Sequence, residues 1–276
     1  MSKTNSISPL LSVCVITYNH NKYIRQCLES ILAQETTFEF EIVIGEDCST
    51  DSTLEIIKEF VDSNSRIRLL DSSTNLGVLP NFIRTLESAK GQYLAFCEGD
   101  DYWIDSMKLQ KQVTFLDEHP QYGGVCTNNQ WLLEENDSIR DSILPEGSVT
   151  FEELIRGNSI NSQSILFRKD LVQDLSWLKD LKMGDWPLHL IITNQKPYYR
   201  LSDVTTTYRV HEGGVHSTLN QGEKLRNRIQ VLEALSRTKI LNSSRTNLIN
   251  TMILELYLEL IALQPKDTKA LRSNYL

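Results

Sequence analysis

The sequence predicts an α/β protein, a doubly wound and mostly parallel sheet with helices on both faces and a C-terminal helical appendage. Three observations predict it. Short apolar, β-branched runs alternate with segments whose apolar residues recur at helical spacing. The helical segments are long enough for right-handed crossovers between parallel strands. A polar cluster lies near the end of each of four apolar runs, the edge where open α/β sheets bind ligands.

Leu11 to Ile16 (LSVCVI) reads as a buried strand ending at Thr17-Tyr18-Asn19. Tyr23, Ile24, Cys27, Leu28, Ile31 and Leu32 then recur at helical spacing, with Asn19 or Asn21 as the expected cap. Phe40 to Ile44 is the second strand, leading to Glu46-Asp47, and Ser49-Thr50-Asp51 precedes a helix with Leu54, Ile57, Phe60 and Val61 on one face. Ile67 to Leu70 is the third strand, Asn75 and Gly77 follow it, and Leu79 to Ala89 is the third helix. Tyr93 to Phe96 is the fourth strand, ending at Glu98-Gly99-Asp100-Asp101.

Past residue 125 the pattern loosens to strand-like Ser164 to Phe167, a Trp-rich segment from Trp177 to Trp186, and strand-like Val204 to Val210. Lys224 to Leu263 carries two amphipathic helical stretches broken near Asn242-Ser243-Ser244. Their polar faces are mixed in charge, which favours packing on the domain or on a twin subunit, as in a homodimer, over a membrane surface. The expected organisation is a domain over 1–220, divided into halves 10–125 and 126–220, followed by a helical extension over 221–276.

The chain has 276 residues, 40% hydrophobic and 23% charged, an ordinary composition for a folded globular protein. Its 28 Lys and Arg against 36 Asp and Glu leave a net charge of -8, which repels polyanions, so no nucleic acid partner is expected. Five cysteines, an odd number without CxxC spacing, read as reduced thiols. Met1 to Pro9 is polar, and no uninterrupted apolar stretch reaches the ~20 residues of a membrane helix. A cytoplasmic location is expected, with peripheral attachment at the inner face of the cell membrane left open.

Asp100 and Asp101 follow an apolar strand and precede Tyr102-Trp103, and paired carboxylates at a sheet edge ask for a cation. The run YLAFCEGDDYW, with SVCVITYNHNKYIRQCLESILAQ and EIVIGEDCSTDST upstream, closely resembles family 2 glycosyltransferases of the GT-A fold. The similarity is dense over residues 11–118 and continues more sparsely to Ser217 through MGDWPL and YRVHEGGVHS.

The resemblance implies that Thr17, Tyr18, Asn19 and Asp47 hold the nucleotide base, with Asn75 also in the nucleotide site. An aspartate can accept the imide N–H of uracil or thymine, and an aromatic ring can stack on the base. It implies further that Asp101 coordinates Mn²⁺ or Mg²⁺ with His211 nearby, that Asp100 contacts the ribose or the metal's water shell, and that Asp185 is the catalytic base. Glu98, Trp103 and Trp186 are expected near the donor or acceptor sugar. No P-loop glycine signature is present, so a metal rather than a backbone cradle is expected on the diphosphate. One departure is Pro80-Asn81, where many relatives place Arg or Lys before the asparagine; Arg84 and Lys108 are the candidate replacements.

The implied activity is inverting transfer of a hexose or N-acetylhexosamine from a UDP-sugar, less readily a dTDP-sugar, to an acceptor hydroxyl. The acceptor would be a glycan or its lipid-linked precursor in surface polysaccharide, O-antigen, capsule or glycoconjugate synthesis. Two alternatives are a sugar nucleotidyltransferase, against which the absence of a glycine-rich basic loop in Leu11 to Tyr23 counts, and a non-catalytic nucleotide-sugar or glycan-binding module. An NAD-dependent oxidoreductase is disfavoured because no GxGxxG follows the first strand.

Overall fold

In a computed structural model that describes residues 9–172, 175–214 and 219–263, β1 (Leu11–Thr17) is buried on both sides. Its alternation sorts the helices. Leu11, Val13 and Val15 join one apolar cluster and Cys14 the other. In chain order there follow α1 (Ile24–Leu32), β2 (Phe40–Glu46), α2 (Thr53–Ser63), β3 (Ile67–Leu70), α3 (Val78–Ser88), β4 (Tyr93–Glu98), β5 (Tyr102–Trp103) and α4 (Lys108–Glu118). Next come β6 (Gly124–Leu133), β7 (Ser138–Ser142), β8 (Gly147–Val149), α5 (Phe151–Leu154), β9 (Leu166–Arg168), α6 (Asp185–Thr193), β10 (Tyr198–Val210), α7 (Gln221–Ser236) and α8 (Ser243–Leu263).

Helices α1, α2 and α4 cover the Val13 face through Ile24, Leu28, Ile57, Leu109 and Val113, while α3 and α5 to α8 cover the other through Phe82, Leu154, Trp186, Ile229 and Met252. The strand order is β3-β2-β1-β4-β9-β6-β10-β5, with β7 added on β6 and β8 on β10. Strands β3, β2, β1 and β4 are all parallel. Past β4 the sheet is mixed: β9 pairs antiparallel with both β4 and β6, β10 runs parallel to β6, and β5 returns antiparallel on β10. This puts the carboxyl ends of β1, β2 and β4 along one edge and brings β5 and β10 over it.

The helix cap expected at Asn19 or Asn21 is not there: α1 begins after Tyr23 with no side-chain cap. Asn19 is used over a longer distance instead, its Oδ1 accepting the Thr50 N–H at 2.8 Å. The C-terminal pair begins and breaks as expected, with α7 started by a capping box between Asn220 and Glu223. Helix α8, however, is 21 residues long with a mean hydropathy of 1.3, enough by length and composition to cross a membrane. Its Leu, Ile and Met side chains outweigh Glu255 and Glu259 in that average. Ile249, Met252 and Leu256 pack into the core, and Leu254, Leu258 and Ile261 are exposed. Residues 1–8, the Val215-His216-Ser217 end of the YRVHEGGVHS motif, and the 264–276 part of the expected extension lie outside the described residues.

Lys108 is wholly buried, its Nζ donating to Gln112 Oε1 at 2.8 Å and lying 4.3 Å from the Trp103 ring centroid. Gln112 in turn donates to the Val125 and Ser164 carbonyls at 3.1 and 2.8 Å, tying α4 to β6 and to the turn before β9. Burial pushes the Lys108 ammonium down to about 7. A lysine whose folded value is depressed stabilises the fold fully above its unfolded value, and that contribution is lost as pH falls through the folded one. Between about pH 10 and pH 7, urea unfolding is therefore expected to show wild type losing about 2–4 kcal/mol relative to Lys108→Met. A difference between the two proteins that does not move with pH would contradict this.

Candidate active site

At the β1, β2 and β3 ends, three loops are tied together by polar side chains. The Asp47 carboxylate accepts the Leu76 N–H on Oδ1 at 2.8 Å and the Gly77 N–H on Oδ2 at 2.9 Å, while Asn75 Nδ2 donates to the Asp47 carbonyl at 3.0 Å. Gly77 sits at φ 90°, a conformation that favours glycine, and so delivers its N–H to Asp47. Asn19, at φ 56°, donates its own N–H to Ser49 Oγ at 3.0 Å. The Asp47 N–H donates to the Thr17 carbonyl at 3.1 Å, so Thr17, Asn19, Asp47 and Asn75 lie on adjoining loops, from which Tyr18 stands out at 41% exposure. Each Asp47 oxygen keeps a further lone pair after these bonds.

The two candidates for the basic contact, Arg84 and Lys108, are both held by protein partners. Arg84 commits its guanidinium to Asn81 Oδ1 and to the Asp71 and Glu46 carbonyls, at 2.9, 3.0 and 2.6 Å. Lys108 is in the core, as described above.

At the end of β4, Gly99 lets the chain pass close to the first loop, since a Cβ there would lie 2.6 Å from Thr17 Oγ1 and 2.9 Å from His20 Nδ1. Asp100 Oδ2 is then 3.1 Å from His211 Nε2 and 3.7 Å from His20 Nε2. His211 Nδ1 accepts the Gly213 N–H at 3.3 Å, which leaves Nε2 to carry the proton given to Asp100, and its ring lies 4.9 Å from that of Tyr23. Asp101 turns inward, its Oδ1 accepting the Arg209 N–H of β10 at 2.8 Å. Arg209 donates through Nε to the Asp100 carbonyl at 2.8 Å, and its guanidinium lies over the Tyr23 and Tyr102 rings. Asp100 thus faces the histidines, while Asp101 fastens β4 to β10 through Oδ1 and keeps Oδ2 without a partner.

Electrostatics separates the carboxylates further. Burial pushes Asp100 up, but the His211 hydrogen bond and the nearby His20 outweigh it and hold the group below the ordinary carboxylate range. Burial pushes Asp101 well up, and Asp100 and Glu98 add to the rise. Burial, then Asp100 and Asp185, push Glu98 up to about 8, although the Ser162 hydroxyl donates to it.

Asp185 is the first residue of α6 and does not cap it; its Oδ2 accepts Asn158 Nδ2 at 2.7 Å. Trp103 and Trp186 present no ring face to a sugar, because both are buried, Trp186 with its Nε1 donating to the Leu154 carbonyl at 2.8 Å and Trp103 beneath Lys108. Four residues that the sequence reading passed over belong here: His20, Tyr23, Asn158 and Ser162. His20 was the most accessible of them, one residue beyond the Thr17-Tyr18-Asn19 cluster.

Residues at the β4 end suit a divalent cation. Asp100 Oδ1, Asp101 Oδ2, Thr17 Oγ1 and His20 Nδ1 are all buried without a hydrogen-bond partner. Among the described residues no group of three or more His, Cys, Asp or Glu side chains is arranged to hold a metal ion by itself. An open site of one or two carboxylates is how a magnesium-like ion is bound when substrate phosphates and water supply the remaining ligands.

Residues 12–175 match the model of the family described as glycosyl transferase family 2. An uncharacterized protein of Mycobacterium tuberculosis is 36% identical over 220 residues, covering 78% of this chain and 63% of its own length, so the match spans under two thirds of that relative. The Escherichia coli protein WfaP, a UDP-Glc:α-D-GlcNAc-diphosphoundecaprenol β-1,3-glucosyltransferase, is 27% identical over 227 residues, 82% of this chain and 86% of its own. Among solved structures, residues 1–349 of TarS from Staphylococcus aureus in complex with UDP-GlcNAc superpose with a TM-score of 0.66 at 22% identity, over 96% of this chain and 76% of that one, a likeness of fold.

Proposed function

The chain belongs to glycosyl transferase family 2, and from that premise we propose that it is an inverting, metal-dependent glycosyltransferase using a UDP-hexose or UDP-N-acetylhexosamine. The acceptor is a hydroxyl of a surface glycan or of its lipid-linked precursor, the class named for WfaP. The observation that carries the reading is the division of the carboxylates at one sheet edge, with Asp100 held ionised beside two histidines and Asp185 on a separate helix, both close enough to raise Glu98.

In this reading residues 10–125 bind the nucleotide and residues 126–220 the acceptor. Thr17, Tyr18, Asn19, Asp47 and Asn75 form the base and ribose cradle, with Tyr18 stacking on the base. Asp100 Oδ1, with Asp101 Oδ2 beside it, would hold Mn²⁺ or Mg²⁺, and His211 and His20 would orient the Asp100 carboxylate; a hard cation bound there would neutralise the charge that builds on a departing nucleoside diphosphate. Glu98 lies on the sugar side, where its Ser162 contact leaves a second oxygen for a donor hydroxyl. Asp185 Oδ1 accepts the proton of the acceptor hydroxyl as that oxygen attacks the anomeric carbon, and Asn158 holds Oδ2 so that the other oxygen faces the acceptor. The exposed apolar side of α8 supports a contact there with a twin subunit or with the inner face of the cell membrane.

The test is release of nucleoside diphosphate from UDP-glucose, UDP-N-acetylglucosamine, dTDP-glucose and GDP-mannose, each with Mn²⁺ and with chelator. Metal-dependent release from the UDP-sugars is expected, with dTDP-glucose slower and GDP-mannose inert. Equal rates with and without chelator would remove the metal from the account, and preference for GDP-mannose would remove the UDP assignment. Inversion is read from the anomeric proton coupling of the transferred sugar, where an α-linked donor is expected to give a β-linked product.

A further inference from the structure

The glycosyltransferase reading leaves an aromatic pair beside the carboxylates without a role. Trp131 on β6 and Tyr208 on β10 are opposed in register, their rings 5.5 Å apart and inclined at 55°. Large aromatics at a sheet surface ordinarily bury themselves, yet Trp131 is 40% exposed. Strand alternation fixes which way it faces. Asn129, two residues earlier on the same face of β6, accepts Asn161 Nδ2 at 2.6 Å, and the next residue, Ser162, donates to Glu98. The intervening Gln130 points to the opposite face, where it donates to Thr207 Oγ1 at 2.9 Å. Trp131 therefore shares the Asn129 side of β6, and the partner of Asn129, Asn161, immediately precedes the Ser162 that meets Glu98. Tyr208 reports the same neighbourhood, its phenol pushed up by burial and then by Glu98, Asp101, Asp100 and Asp185. On the outer side, Arg140 of β7 stands opposite Trp131 in the ladder and is exposed.

From this arrangement we infer that Trp131, flanked by Tyr208 and Arg140, is the stacking platform for a pyranose ring of the acceptor, and so a specificity-determining residue of the transfer. The inference rests on the glycosyltransferase reading and adds the acceptor's chemistry to it. An indole face offers a pyranose a flat apolar surface for its axial C–H groups, and polar neighbours at the rim bind the equatorial hydroxyls. Trp131 provides that face, and Arg140 with the Asn129-Asn161 pair provides the rim. The nucleotide cradle is not a competing use of the platform, because Asp47, Asn75 and Tyr18 belong to the β1 to β3 end of the edge, whereas Trp131 lies across β9 and β6 from it.

The experiment is saturation-transfer NMR with methyl α-D-glucopyranoside, methyl β-D-galactopyranoside and methyl N-acetyl-α-D-glucosaminide. Each is added to wild type, Trp131→Ala and Trp131→Phe in the presence of UDP and Mn²⁺, with UDP affinity measured by calorimetry on the same samples. Wild type is expected to saturate the ring C–H protons of at least one glycoside. Trp131→Ala should bind that glycoside about 5–10-fold more weakly, Trp131→Phe should recover most of the loss, and UDP affinity should be the same in all three proteins. Unchanged glycoside binding in Trp131→Ala overturns the inference, as does the absence of glycoside binding by wild-type protein that binds UDP, or a loss of UDP affinity in Trp131→Ala. Failure of the wild-type protein to bind UDP at all overturns the reading beneath it as well.

Discussion

Asp185→Asn is expected to lower the rate of sugar transfer by about 10²–10⁴ while leaving UDP affinity within about twofold of wild type, because proton removal by a placed carboxylate contributes that much and contributes it only in the transition state. Asparagine keeps the shape of the side chain, and its own carbonyl oxygen can accept the Asn158 amide as Asp185 Oδ2 does at 2.7 Å. What it loses is a proton acceptor of carboxylate basicity. Since Asp185 does not cap α6, the substitution removes no hydrogen bond from the helix start, and a fall in thermal stability is not expected to accompany the fall in rate. Steady-state kinetics with calorimetric titration separates the outcomes. A fall in kcat at constant UDP affinity agrees with the base assignment, whereas equal loss of UDP binding would place Asp185 in the donor site and end it.

Asp100→Asn should act on the other half of the reaction. Asp100 is kept ionised by His211 and His20 despite its burial, and its Oδ1 has no protein partner. Removing the charge is expected to abolish the increase in UDP affinity that Mn²⁺ produces, by more than the ~10–100-fold that loss of an outer-shell partner costs a metal site. His20→Asn should fall within that outer-shell range. Asp101→Asn should be milder than Asp100→Asn, because burial already favours the protonated carboxyl there and an amide oxygen can still accept the Arg209 N–H. Titrations with and without Mn²⁺ measure all three. The reverse order, with Asp101 critical and Asp100 dispensable, would put the cation on Asp101, as the resemblance implies.

The first half of the fold was legible because its strands are buried on both faces and its helices carry a clear apolar stripe, as Leu11, Val13, Val15 and Ile24, Cys27, Leu28, Ile31 illustrate. β6 was not. Its core segment Thr127-Asn128-Asn129 is polar and buried, and nothing local shows that Thr127 meets Thr205 at 2.7 Å, that Asn128 accepts the Leu144 N–H at 2.9 Å, or that Asn129 meets Asn161. Pairings over such separations are set by topology, which a single sequence does not display. The same limit explains the aspartates: adjacent residues of like chemistry differ only in which neighbours they meet, and Arg209, 108 positions away, decides that for Asp101. Trp103 and Trp186 stand beside motif residues in the sequence, yet Trp186 gives its N–H to Leu154 and spends its ring on the core, while Trp131, the proposed platform, sits in a stretch with no motif.

A nucleoside diphosphate is expected to bind across the β1, β2 and β4 ends through a divalent cation held at Asp100. Calorimetric titration of the purified protein with UDP, dTDP, GDP and ADP, each with and without Mn²⁺, tests it most directly. Selective binding of UDP that requires Mn²⁺ is the predicted result. No binding of any diphosphate, or binding of equal strength without the metal, would contradict it.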